Sequence, residues 1–178
     1  MSVRPIHLLG SATLRERAAE VERVDEDTRR LVQDLFDTMR ADKGIGLAAN
    51  QIGELRRVAV VHAGEDTDPV VLINPVIVER AGTHVAEEGC LSIPEIFADV
   101  KRAARVVVET LTESGERRRM EVTELAARAI QHEVDHLNGT LFIDHLSPLK
   151  RRLLLRKWER LRKGKAGYLK ELPAATEA

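Results

Sequence analysis

The sequence predicts an α+β fold, with antiparallel or mixed β-sheets around a central helix bearing an HExxH pattern and a further helix at the C-terminus. Three observations predict it. A stretch with helical spacing comes first, short β-branched runs cluster between residues 57 and 111, and two more helical stretches follow. That order, helix, strands, helix, helix, argues for α+β with an antiparallel or mixed sheet. A chain of 178 residues can bury one core and leaves little room for a second. Residues 1–146 therefore read as a catalytic body and 147–178 as a basic helix and tail of the same single domain.

Each element has a local reason. Over residues 26–42, Leu31, Val32, Leu35, Phe36 and Met39 fall on one helix face, with Asp25 or Asp27 to cap the start and Gly44 behind the end. The run Gly44–Gly53 is too rich in glycine for the middle of a helix or strand and reads as a turn entering a strand. Arg57–Ala63, Val70–Ile73, Val76–Val78 and Arg105–Leu111 read as strands. Asn74-Pro75, Ser114-Gly115 and the stretch 65–69 supply turns between them. Thr123 caps a helix running to about Asn138, with Gly139 behind it. Ser147-Pro148 opens the last helix, with Pro at its first helical position.

Composition removes several classes. Aromatic residues are only 3%, so the core must come from Val, Leu, Ile and Ala. No run approaches the ~18 apolar residues of a membrane span, and the N-terminus lacks a secretory pattern. The lone Cys90 permits no internal disulfide, so a reducing, cytoplasmic location without membrane attachment is expected. The net charge of -1 hides an asymmetry: residues 150–170 carry ten Lys/Arg against Glu159, a balance of +9, while the remaining 18 basic and 28 acidic residues give -10. A basic tail on an acidic body points to a polyanionic partner.

The strongest chemical signal is His132-Glu133-Val134-Asp135-His136. Helical positions i and i+4 share a face, so both imidazoles can reach one metal with Glu133 beside it. A chain of this composition yields about 0.02 such matches by chance. Two histidines leave a metal short of ligands, and only Asp144 and His145 follow closely, a poor fit to the metallopeptidase pattern. Upstream, Glu88-Gly89-Cys90-Leu91-Ser92 holds the only thiol. A thiolate with two imidazoles makes a three-ligand open site. A free Cys is equally often a small buried hydrophobe, but this polar, glycine-containing setting makes a poor core strand. A purely structural Cys-His-His site would normally be closed by a fourth protein ligand, and there is no second Cys. The third signal is Gly44–Gln51, whose Gly and Ala residues let a substrate backbone approach while Gln51 offers an amide donor. Asp135 could orient a ligand histidine or be an exposed carboxylate, and Glu88 could hydrogen-bond its loop or the substrate backbone. His7, His62, His84 and His145 have no spacing partner and read as structural or solvated.

The motifs G-x-G-x-A-A-x-Q (44–51), E-G-C-x-S (88–92) and H-E-x-D-H (132–136), in this order, resemble the peptide deformylase family. The likeness extends through Leu72–Pro75, Leu91–Pro94 and Phe142–Pro148, covering residues from about 5 to 150. The resemblance implies removal of the formyl group from formyl-methionyl nascent peptides by one metal ion per chain, most often Fe(II), with Zn(II), Ni(II) or Co(II) able to substitute. It implies Cys90, His132 and His136 as ligands and Glu133 as the acid/base. Gln51 and the Leu91 N–H become the oxyanion donors, and Ile45 and Gly46 line the substrate. An apolar methionine pocket would draw on Leu125, Ala129 and the His132 ring, with Ile45 opposite. Phe97 stands where some members of the family would place a basic residue.

In the last helix Leu154, Trp158 and Leu161, with Leu149 and Leu153 alongside, should form a packing stripe. The opposite face carries Arg151, Arg152, Arg156, Lys157, Arg160, Arg162 and Lys163, which the resemblance links to ribosome (rRNA) contact. All implied catalytic residues precede Ser147, so a cut after Lys150 is expected to spare activity on short formyl peptides.

Overall fold

The computed structural model describes residues 2–173. In chain order the elements are β1 (Ile6–His7), α1 (Glu26–Ala41), β2 (Gly46–Ala48), β3 (Val58–Val61), β4 (Val70–Ala81), β5 (His84–Cys90), β6 (Ile93–Arg102), β7 (Arg105–Leu111), β8 (Arg117–Thr123), α2 (Glu124–Leu137), α3 (Pro148–Arg162) and β9 (Leu169–Lys170). Short 3₁₀ turns lie at Ala12–Arg15, Ala49–Ile52 and Phe142–His145. Strands β2-β3-β4-β7-β8 form a five-stranded sheet, β5 and β6 a hairpin, and β1 and β9 a small pair. Every strand pairing is antiparallel.

The sheet lies between two helices, and β3 shows why. Successive strand side chains point to opposite faces. Val58 and Val60 pack with Leu31, Leu35 and Met39 of α1, while Ala59 and Val61 pack with Ala129, Ile130 and Leu137 of α2. Leu47 and Ala48 of β2 divide between the same two clusters. Small residues, Ala48 and Ala59, meet α2 and allow it to lie close. Each fully buried aliphatic side chain there is worth about 1.5–3 kcal/mol, so the metal-motif helix is held by its apolar side. A third cluster joins Ile93, Ile96 and Val100 of β6 to Phe142, Ile143 and Trp158, tying the hairpin to α3.

Local signals resolve in instructive ways. Asp25, not Asp27, caps α1, accepting from the Thr28 N–H and hydroxyl, each at 2.9 Å. The left-handed residue ending α1 is Lys43 (φ 55°), one position before the expected Gly44. Thr123 occupies the cap position of α2 without a side-chain cap bond. The expected break at Asn74-Pro75 is instead a bulge within a continuous β4. Proline, lacking an N–H, is accommodated at such an irregularity, and the Asn74 side chain turns aside to pair with both backbone groups of Val21 at 2.8 Å. The hairpin β5–β6 and strand β8 were not legible from patterning. In α3 the packing stripe is Leu154, Leu155, Trp158 and Leu161; Leu149 and Leu153 are 58% and 52% exposed and lie outside it. The Trp158 indole donates to Leu9 O at 3.1 Å. Among the described residues no helix is long and apolar enough to cross a membrane.

Candidate metal centre

Helix α2 turns its polar side toward the β5–β6 hairpin. His132 and His136, one turn apart, bring their Nε2 atoms to 3.1 Å. Cys90, at the end of β5, places Sγ 3.3 Å from His136 Nε2. The three ligand atoms all lie within 4.8 Å of one another, so the residues singled out for this role converge.

The donor set suits a metal cation. His132 Nδ1 lies 3.0 Å from Glu88 Oε2; a carboxylate only accepts, so Nδ1 carries the proton and the Nε2 lone pair faces the site. Burial opposes charge on His132, yet the hydrogen bonds with Cys90 and Glu88 and the charges of Cys90 and Glu133 prevail and raise its pKa well above the ordinary value. Burial and the neighbouring His132 push His136 well below it. The site thus favours a positive charge at His132, one that a metal cation would supply in place of the second imidazole proton. One thiolate with two imidazoles matches Zn(II) or Fe(II).

Glu133 is buried beside the triad, and its Oε2 has no hydrogen-bond partner among the described residues. Burial pushes its pKa up to about 7. A cation held by the neighbouring histidines would pull it back toward the ionised form. Gly46 explains how the carboxylate fits, since a Cβ there would overlap Glu133 Oε1. Gln51 is buried in the 3₁₀ turn after β2. Its Oε1 accepts from Ala48 N–H at 3.0 Å, so its NH₂ is the end turned to the site. Nε2 donates to Ser92 Oγ at 3.1 Å and lies 3.7 Å from Cys90 Sγ. Leu91 follows Cys90 in the turn between β5 and β6, its side chain packed against the α1 cluster.

Glu88 is the centre of a buried network. Oε1 accepts from Arg102 Nε and Arg128 Nη1, both at 2.7 Å. Oε2 accepts from Arg102 Nη2 at 2.9 Å and His132 Nδ1 at 3.0 Å. Burial alone would raise the Glu88 pKa; the Arg102 and His132 hydrogen bonds hold it well below the usual carboxylate range. Asp135 meets neither expectation: it bonds Arg102 and, at 2.7 Å, His145, reaching the ligands only through Glu88. Sequence reasoning missed Arg102, Arg128 and Ser92. Arg128 had a signal, lying four residues before His132 between Ala127 and Ala129; Arg102 had none. His7 bonds Ser11 and His62 bonds Thr67 O, local structural partners.

A cavity of about 430 Å³ opens beside the triad, lined by Ile45, Gly46, Gln51, Cys90, Leu125, Ala129, His132 and Glu133. Two strand edges face it: β2 is hydrogen-bonded only to β3, and β5 only to β6, and both line the opening through Gly46 and Glu87–Cys90. The cavity therefore combines a metal-ligand triad, a free carboxylate, an amide donor, an apolar wall and two unpaired backbone edges.

The family of polypeptide deformylases matches residues 3–152. A peptide deformylase of Mesorhizobium japonicum is 48% identical over 170 residues, 93% of this chain and 97% of its own length. One from Pseudoalteromonas translucida is 48% identical over 148 residues, 83% of this chain and 89% of its own. The crystal structure of peptide deformylase from Ehrlichia chaffeensis in complex with actinonin superposes with a TM-score of 0.87 at 37% identity, covering 92% of this chain and 99% of that one. That from Legionella pneumophila gives 0.83 at 42% identity, covering 93% and 100%. Matched by the family model over residues 3–152, about half identical to curated members and sharing the fold of solved ones, the chain belongs to the peptide deformylase family.

Proposed function

We propose that the family's reaction, hydrolysis of the formyl group from N-formylmethionine at the start of new polypeptides, runs at Cys90, His132 and His136, with Glu133 as proton carrier. The observation that carries this reading is the unpartnered, buried Glu133 carboxylate beside three converging ligand atoms. A metal held there supplies a Lewis acid that lowers the pKa of water to roughly 7. Glu133 accepts the proton of the attacking water and delivers it to the departing α-amine. Gln51 Nε2 and the Leu91 N–H donate to the formyl oxygen as it becomes an oxyanion; one such preset donor is worth about 3 kcal/mol. Ile45, Leu125, Ala129 and the His132 ring receive the methionine side chain, and Gly46 keeps the backbone approach open. The unpaired edges of β2 and β5 favour an extended peptide lying between them, bonded through its main chain.

The metal is assigned as Fe(II), one per chain, with Zn(II), Ni(II) and Co(II) as substitutes, since a thiolate with two imidazoles accepts each. Metal analysis of protein purified without oxygen checks the assignment, and hydrolysis of a formyl-Met peptide by that protein tests the whole reading. Release of formate from formyl-Met but not acetyl-Met peptides is the supporting result; an inert, fully metallated protein ends it.

A cytoplasmic location follows from the lone thiol and the substrate. For the basic helix we assign contact with ribosomal RNA. Three of its cations are engaged within the fold: Arg151 with Asp144 and Lys157 with Glu95 O of the body, and Arg162 with Gly167 O just beyond the helix. Arg152, Arg156, Arg160 and Lys163 remain exposed at helical spacing, one positive stripe facing outward. Co-sedimentation with ribosomes that weakens as salt rises is the expected behaviour; sedimentation indifferent to salt would remove the assignment.

A further inference from the structure

Beyond the basic helix, the described residues through 173 turn back onto the body. Gly164 and Gly167, both at positive φ, reverse it so that β9 pairs antiparallel with β1, Ile6 opposite Lys170 and His7 opposite Leu169. The return is anchored: Leu8 N–H donates to Tyr168 O at 2.8 Å, and the Tyr168 ring fills the space a side chain on Gly10 would need. Because strand side chains alternate, Leu169 points out while Lys170 turns inward. Its Nζ meets both oxygens of Asp42, at 2.6 and 2.9 Å. Asp42 is the residue that ends α1, and its side chain is only 14% exposed against 34% for Lys170. Both side chains line the cavity that holds the metal triad.

We propose that β9 is part of the substrate site, and that the Asp42–Lys170 pair forms the wall met by peptide residues following the formyl-methionine. This deepens the site assignment made above and rests on it. The geometry is that of a strap. Asp42 lies four residues before Gly46, which abuts Glu133. The chain turns at Asp42 and Lys43, the latter left-handed, so the pair lies within about 14 Å of Gly46, and an extended peptide leaving the triad with its methionine bound meets the pair with a later residue. The ion pair fixes the start of segment 42–46 from outside, binding β9 to the turn that leads through Ile45 into β2. Short substrates reach only the methionine end; longer ones also touch the wall.

The test compares kcat/KM for a formyl-Met dipeptide and a formyl-Met tetrapeptide on the metallated full chain. Lys170→Met and Asp42→Asn should each lower the tetrapeptide-to-dipeptide ratio roughly fivefold, the worth of a good, partly exposed ion pair, mainly through KM. Lys170→Arg, which keeps the pair, should preserve the ratio. A ratio unchanged in both charge-removing variants, including the case where both substrates decline together, gives Lys170 a packing role and overturns the proposal. A wild-type chain inactive on every formyl peptide would instead overturn the site assignment, and this proposal with it.

Discussion

Glu88 and Glu133 are two carboxylates on the two walls of one cavity, buried to nearly the same degree, at 7% and 3% exposed. Their fates are opposite. Glu88 receives four N–H groups from Arg102, Arg128 and His132 and is held ionised, whereas Glu133 keeps one oxygen without a partner and is pushed up to about 7. Burial alone does not decide the chemistry of an acid; the donors around it do. A saturated carboxylate fixes geometry, and an unsaturated one in the same pocket is free to exchange a proton.

The contrast can be broken by experiment. Glu133→Gln should lower kcat by about 10²–10⁴-fold while metal content stays near one ion per chain; loss of metal would make Glu133 a ligand and erase the distinction. Gln51→Ala should reduce kcat by about 10²-fold or more with metal retained, and an unchanged kcat would remove it from the oxyanion site. Glu88→Gln should act on binding instead, weakening metal affinity by about 10–100-fold because one neutral amide oxygen replaces the two carboxylate oxygens that Arg102, Arg128 and His132 share, loosening the hold on His132. It should also destabilise the fold, since Arg102 and Arg128 would lose their buried counter-charge. A Glu88 variant with wild-type metal affinity but low kcat would reverse the roles argued here. The smallest effect belongs to Asp135→Asn, which touches Glu88 only through Arg102: metal affinity should fall by less than about threefold, and a loss as large as that of Glu88→Gln would place Asp135 in direct control of the ligands.

Legibility in the sequence followed range and polarity. His132, Glu133 and His136 could be read because helical spacing is local, and β3 because Val58–Val61 is apolar throughout. Hairpin β5–β6 escaped because both its faces carry charge: His84, Glu88 and Arg102 on the side toward the site and Glu87 on the other resemble a solvated loop until the fold buries two of them. Strand β8 opens on Arg117, Arg118 and Arg119 and carries the same disguise. An arginine such as Arg102 gives no sign that its partner is a carboxylate fourteen residues earlier in the next strand. The pairing of β1 with β9, two residues each, depends on closure of nearly the whole chain. It also qualifies the expectation that the chain could be cut after Lys150. The proposed catalytic residues do precede Ser147, but the cut would remove the buried Trp158 and Lys170 at the cavity wall. Loss of that indole alone would cost about 3–5 kcal/mol.

The two open strand edges beside the triad have a consequence for how many different clients one enzyme can serve. New polypeptides share their first residue and differ at almost every later one. An edge that offers backbone N–H and C=O groups reads the part of each client that never varies, its main chain, and leaves most side chains unread. On the binding mode proposed above, breadth of this kind needs no enlarged pocket: the free edges of β2 and β5 would pair with the main chain of whichever newborn polypeptide arrives.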